Sequence, residues 1–292
     1  MRKKHILTAV LLTLFVVALL QIDRQNLIGS LRQIPLWLIL LLCALQVVTQ
    51  LLVNLQWHRI LKLSGSQLSF KSMFYIHSQG AVMDAITPGV KFGGEVTRAV
   101  QISRIGNLPM EQAAAAVAMQ KLFSISALFF VLLFAARQYI FAVAALFLLA
   151  FVGLFIARKW KKVQDFLSAL REQIKNAAKN KKAFAALLLL SLFIWLLYPA
   201  KMYILAVQFY PAANMFYIAG ITFAAYMVAM LPIFPGGVGG FEGTMSGLLV
   251  AAGYAINDAA IITILFRFIT FWFVLLLGLT FIGFCKVRRK LC

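Results

Sequence analysis

The chain has 292 residues, 63% of them hydrophobic, eight acids and a net charge of +20. Its mean hydropathy of +0.92 lies far above that of a soluble domain, which excludes a water-soluble globular protein and indicates an all-α polytopic membrane protein. The positive charge does not indicate nucleic acid: basic residues crowd into loops and termini flanking the apolar runs, where anionic lipid headgroups are the natural counter-charge.

Residues 1–5 form a basic start, and an apolar run follows from Ile6 to about Ile22. No small-residue cleavage site follows it, so it reads as an uncleaved first span. The second span runs from about Ile34 to Leu55, with Trp37 and Trp57 as interfacial anchors. Its Gln46, Gln50 and Asn54 are spaced by four and share one helix face, which should point into the bundle. That face either hydrogen-bonds neighbouring helices or lines a substrate path. The basic loop 58–72 is expected in the cytoplasm. Segment 73–87, with His77, Ser78, Gln79 and Asp84, is too short and too polar for an ordinary span. It meets Pro88-Gly89, and a helix carrying Arg98 and Arg104 follows Gly94, so 73–105 reads as a re-entrant hairpin. Residues 110–136 form a long span with Glu111 at its start and Lys121 inside, and 139–157 return inward.

Residues 158–182 hold nine basic and two acidic residues. Val163, Phe166, Leu167, Leu170 and Ile174 recur at three and four, which predicts an amphipathic helix on the cytoplasmic lipid surface or else a solvated linker. The span 183–207 includes Pro199 and Lys201, and Lys201 either snorkels to the interface or joins a polar cavity. A second hairpin occupies about 214–252, and the final span, 257–283, carries Arg267 and ends in a basic tail.

The two hairpins share a pattern. Pro88-Gly89-Val90-Lys91-Phe92-Gly93-Gly94-Glu95 returns as Pro235-Gly236-Gly237-Val238-Gly239-Gly240-Phe241-Glu242. An ungapped shift of 147 residues pairs Pro88 with Pro235, Glu95 with Glu242, Gly106 with Gly253 and Glu111 with Asp258. Lys121 and Arg267 nearly correspond but are one position out of step. The expected halves are 1–138 and 139–292. Each holds three full spans and one hairpin, six full transmembrane helices and two hairpins in all. Three is odd, so the repeat is inverted and both termini are cytoplasmic, a recurring design in secondary transporters.

The expected substrate or charge site is Glu95, Arg98, Lys121, Glu242 and Arg267, with Pro88, Gly89, Gly93, Gly94, Pro235, Gly236, Gly237, Gly239 and Gly240 forming the turns. An unpaired charge deep in the bilayer costs at least about 3 kcal/mol, so glutamate–cation pairing is expected. Such pairs act as static locks, or the glutamates complement helix N-termini, or the pairs open for a phosphate or a proton. Phosphate contact is assigned to Arg98, Lys121 and Arg267, because the glutamates already occupy the positive helix ends. No catalytic residue, metal site or cofactor is expected: Cys43, Cys285 and Cys292 lack ligand spacing, and His5, His58 and His77 are isolated.

Leu231-Pro-Ile-Phe-Pro-Gly-Gly-Val-Gly-Gly-Phe-Glu242, then Gly253 and Leu265-Phe-Arg267, resembles the flippase-like membrane region of the lysylphosphatidylglycerol synthase family. Thr87-Pro-Gly-Val-Lys-Phe-Gly-Gly-Glu95, followed by Arg98-Ala99, resembles that family's other motif. The resemblance implies a bacterial or archaeal inner-membrane protein that translocates or handles a lipid. The soluble aminoacyl-transfer domain of the synthases has no counterpart here, and Gln120 stands where an acid often precedes the lysine. The leading expectation is a flippase-like lipid transporter, not an enzyme, handling a phospholipid or polyprenyl-phosphate headgroup. Proton or ion coupling and the oligomeric state stay open. The alternatives are an intramembrane lipid-modifying enzyme, a non-transporting partner of an envelope lipid enzyme, or a transporter of small solutes.

Overall fold

The computed structural model describes residue 29 and residues 33–87, 92–135, 161–229 and 237–287. Regular structure among these residues is helical throughout. The helices are α1 (Leu36–Leu63), α2 (Phe70–Ile86), α3 (Phe92–Ile105), α4 (Met110–Ala135), α5 (Lys161–Lys179), α6 (Lys181–Ala206), α7 (Met215–Ala229), α8 (Gly240–Ala251), α9 (Ile256–Arg267) and α10 (Phe273–Val287). A π-helical turn, Phe268–Trp272, joins α9 to α10. Among the described residues four stretches are long and apolar enough to cross a bilayer: Leu36–Leu63, Met110–Val131, Lys181–Ala206 and the continuous Ile256–Val287. They match the four expected spans that fall within the described residues. The expected spans at 6–22 and 139–157 lie outside those residues, as do Pro88, Gly89, Pro235 and Gly236.

The first boundary is corrected. The span expected to stop at Leu55 continues to Leu63, carrying His58, Arg59 and Lys62 on the helix. Its cations read as a loop, but no glycine or proline interrupts the chain before Gly65. There φ is +81°, and Ser66 N–H reaches back to the Leu61 carbonyl at 3.0 Å, a left-handed close. The helix α3 ends the same way, with Asn107 at φ 49° and Leu108 N–H on the Ser103 carbonyl. Gly253, at φ 96°, ends α8 with Tyr254 N–H on the Leu249 carbonyl.

The chain forms two compact units. One comprises Met1–Val48, Val82–Phe92 and Tyr198–Leu276; the other comprises Thr49–Ala81, Gly93–Leu197 and Leu277–Cys292. Each draws on both halves of the sequence repeat, since packing neighbourhood and shared pattern are different properties. The first unit is centred on Leu38, Leu42, Met202, Phe241, Met245 and Phe266. The second is centred on Trp57, Ile60, Ile76, Ile102, Ala113 and Phe123.

The helices flanking the two Pro-Gly stretches are short. With 17, 14, 15 and 12 residues in α2, α3, α7 and α8, they measure about 18–25 Å, less than the roughly 30 Å of bilayer hydrocarbon. In the second unit the loop before α2 meets the loop after α3: a Cβ at Gly106 would lie 3.0 Å from Leu68 Cδ1 and 3.2 Å from Ser66 Oγ. In the first unit the loop before α7 meets the loop after α8, with the Tyr210 and Tyr254 rings 5.6 Å apart.

The amphipathic helix is present as α5, but protein covers its inner face. Gln173 Nε2 donates to the Gln112 carbonyl of α4 at 2.9 Å, and Ala177 is fully buried in the same core. On the same helix Ile174, one of the expected apolar positions, stays exposed. The Ala-rich start of α4, Ala113–Ala116, lets another helix approach closely. Cys285 is disulfide-bonded and Cys43 is a free thiol.

Candidate functional site

Each unit gathers charged side chains around one glutamate in the first turn of a helix. In the second unit, Gly93 and Gly94 open α3 and Glu95 follows, with Arg98 one turn on. Arg98 Nη1 lies 2.8 Å from Glu95 Oε1, and Lys121 Nζ reaches the same oxygen from α4 at 2.6 Å. The side chains differ in exposure: 6% for Arg98, 16% for Glu95 and 42% for Lys121. The arginine lies across Gly80 of α2, where a Cβ would sit 2.5 Å from its Nε and 2.7 Å from its Cζ. Any other residue at that position would push the guanidinium aside.

In the first unit, Gly237 and Gly239 adopt φ of +74° and +87°, a backbone that L side chains rarely take. A Cβ at Gly237 would also lie 2.8 Å from Ala229 Cβ at the end of α7. This turn delivers Glu242 to the start of α8, where its Oε2 accepts the Gly239 N–H at 2.7 Å. Its Oε1 lies 3.2 Å from Arg267 Nε of α9. The Arg267 Cζ sits 4.7 Å from the Phe241 ring centroid and 4.3 Å from that of Phe271. The π turn begins at the next residue. It was not legible in the sequence, and π turns are frequent at functional sites.

The structure therefore brings Glu95 together with Arg98 and Lys121, and Glu242 together with Arg267. Glu242 also complements its helix N-terminus, as one reading of the sequence expected. The polar face of α1 is buried as expected, with Gln46, Gln50 and Asn54 exposed by 8% or less. Asn54 Nδ2 donates to the Phe70 carbonyl at 2.9 Å, and Gln50 Oε1 meets His77 Nε2 at 3.2 Å. Lys201 does not snorkel: it is 1% exposed, donates to Gln46 Oε1 and lies 4.6 Å from the Tyr198 ring centroid.

Sequence reasoning missed one network. Gln56, beyond the expected end of its span, donates to Ser191 and accepts from Gln120 Nε2 at 3.1 Å. The signal available was a glutamine and a serine within apolar helices, as at Gln46. Among the described residues no group of three or more His, Cys, Asp or Glu side chains could hold a metal. Chemically, the clusters offer ammonium and guanidinium donors suited to a phosphate, each balanced by a carboxylate.

The family model for the lysylphosphatidylglycerol synthase TM region matches residues 6–278. The chain is 24% identical to a UPF0104 membrane protein of Methanothermobacter thermautotrophicus, with 97% of each chain covered. It is 22% identical to a UPF0104 membrane protein of Pyrococcus horikoshii, over 94% of this chain and 95% of that one. A third UPF0104 membrane protein, of Methanocaldococcus jannaschii, is 27% identical over 33% of this chain and 29% of its own length.

Proposed function

Because the chain belongs to the lysylphosphatidylglycerol synthase membrane-region family, we propose that it moves a phospholipid or polyprenyl-phosphate headgroup between membrane leaflets. The observation that carries this reading is the pairing of buried charge with broken helices. Two short helix pairs in an apolar chain each begin their second helix with a glutamate bonded to a cation. Such charge is costly in hydrocarbon and marks a functional site by default. An amphiphile with a phosphate head and lipid tails suits a polar route flanked by apolar surface. The family description names a synthase of a phospholipid, which favours a lipid over a small solute.

The closing contacts support the hairpin reading. A helix pair whose entry and exit loops touch has not carried the chain across the membrane once. The contacts at Gly106 and at Tyr210–Tyr254 are what such hairpins would make, and they favour three spans in each half and an inverted repeat with both termini cytoplasmic. The membrane would be the cytoplasmic membrane of a bacterium or archaeon. Arg98 and Lys121 supply the phosphate-facing cations, Glu95 balances them when no headgroup is bound or carries a proton, and Glu242 with Arg267 forms the matching pair of the other unit. Anionic headgroups are the partners.

The test is purified protein in liposomes carrying leaflet-reporting phosphatidylglycerol or polyprenyl phosphate. Wild type should accelerate equilibration between leaflets, and Glu95→Gln should slow it at least tenfold. Unchanged leaflet distribution would refute transport, and new lipid species in the product analysis would favour the enzyme reading.

A further inference from the structure

The two charge clusters look alike in sequence, each a Gly-rich turn, a glutamate in the first helical turn and a cation 26 or 25 residues later. Their surroundings differ. Lys121 keeps 42% of its side chain exposed and touches Glu95 through one terminal ammonium on a flexible stem. If it swings away, Glu95 still holds Arg98 at 2.8 Å, so no carboxylate is stranded. Arg98 is fixed by a different means, packed over Gly80.

Arg267 has no comparable freedom. Its side chain is 6% exposed, with two aromatic rings within 4.7 Å of its Cζ, and a desolvated guanidinium over an aromatic face is strongly held. Its carboxylate is fixed too, since Glu242 Oε2 accepts the Gly239 N–H. Among the described residues Glu242 pairs with this one cation. Withdrawing Arg267 would leave a buried carboxylate without its counter-charge, which is strongly destabilising.

We propose that Lys121 and Arg98 form the seat for a phosphate-bearing headgroup, with Lys121 the arm that changes partner, whereas Glu242–Arg267 is a fixed brace that holds the turn. This rests on the lipid-handling reading and divides its five charged residues between two roles. The ligand class is a phosphate mono- or diester anion. Lys121 exchanges the Glu95 carboxylate for a phosphate oxygen, Arg98 stays and adds a second donor, and no covalent bond changes.

The experiment uses full-length protein in neutral detergent, comparing wild type with Lys121→Gln, Arg267→Gln and the conservative Arg267→Lys. Two readouts are taken: the thermal midpoint without ligand, and affinity for phosphatidylglycerol in mixed micelles and for inorganic phosphate. Lys121→Gln should leave the midpoint unchanged and weaken phosphatidylglycerol binding at least tenfold. Arg267→Gln should lower the midpoint by several degrees, and Arg267→Lys should lower it as well, while whatever folds keeps affinity within about threefold.

A lowered midpoint with retained affinity in Lys121→Gln would overturn the proposal. So would lost affinity at an unchanged midpoint in either Arg267 variant, or the absence of binding to both probes in wild type. Binding of phosphatidylglycerol alone assigns the seat to a lipid headgroup, and binding of both probes assigns it to phosphate whatever its carrier. Neither readout requires transport. If wild type binds as described yet liposomes show no leaflet exchange, the transport reading fails and the seat stands.

Discussion

At Gly80 a missing side chain determines where a charge can lie. The Arg98 guanidinium occupies the space a Cβ would need, so Gly80→Ala must move the arginine away from Glu95. The expected cost is about 1–3 kcal/mol of overpacking, read as a lowered thermal midpoint. In a double-mutant cycle with Arg98→Ala the two losses should fall short of additivity by more than about 0.5 kcal/mol. Additive losses would mean that Gly80 is needed for something other than seating the arginine. Gly237 is a stricter case, because left-handed φ and contact with Ala229 coincide there. Gly237→Ala should cost more than the roughly 1–2 kcal/mol of a left-handed L residue alone, whereas Gly243→Ala, in open space on the helix that follows, should be close to neutral. The charged pairs could be anticipated because acids are scarce in this chain and each needs a partner inside lipid. The seat at Gly80 could not, because nothing local distinguishes that glycine from one tolerated in any membrane helix. Lys201 was ambiguous for a related reason: its fate depended on Gln46, 155 residues away.

The short helices flanking the Pro-Gly stretches were legible as elements, since those stretches interrupt otherwise apolar runs. Their closure was not, because it rests on side chains brought together by the fold. Tyr254 shows the consequence. Burial, then its neighbours Tyr210 and Tyr203, push its phenol up to about 12, so the closing contact is uncharged at physiological pH. Its hydroxyl has no hydrogen-bond partner among the described residues. Tyr254→Phe should therefore be neutral or slightly stabilising, because a buried unmet hydroxyl is removed, whereas Tyr254→Ala should cost about 3–5 kcal/mol of lost packing. Thermal midpoints in detergent would separate the two, and a large loss from the phenylalanine variant would point to a partner for the hydroxyl. The amphipathic character of α5 was also readable from its spacing. Its covering was not, because Ala113–Ala116 of α4 permits close approach without specifying which helix makes it.

Among the described residues the four stretches long enough to span were legible in hydropathy alone, and the repeated pattern followed from an ungapped comparison that needs no structure. The membrane sidedness of the loops is the property that comparison leaves to experiment. The inverted reading predicts that single cysteines at Ser66 and Asn107 react with an impermeant reagent from one side of the membrane. Cysteines at Tyr210 and Gly253 should react from the other side, and labelling of all four from one side would remove the mirror relation. The make-up of the two compact units carries a further consequence. Gly278 of α10 packs on Ser78, and Phe281 lies 4.8 Å from Phe74, so an early helix waits for one of the last to be made. Arg267 likewise arrives after the glutamate it must neutralise. During translation, each glutamate leaves the ribosome before the cation that will pair with it from another helix. A stop codon ahead of α9 would take the guanidinium from one unit and the closing phenylalanine from the other, so premature termination should yield no partially competent fragment.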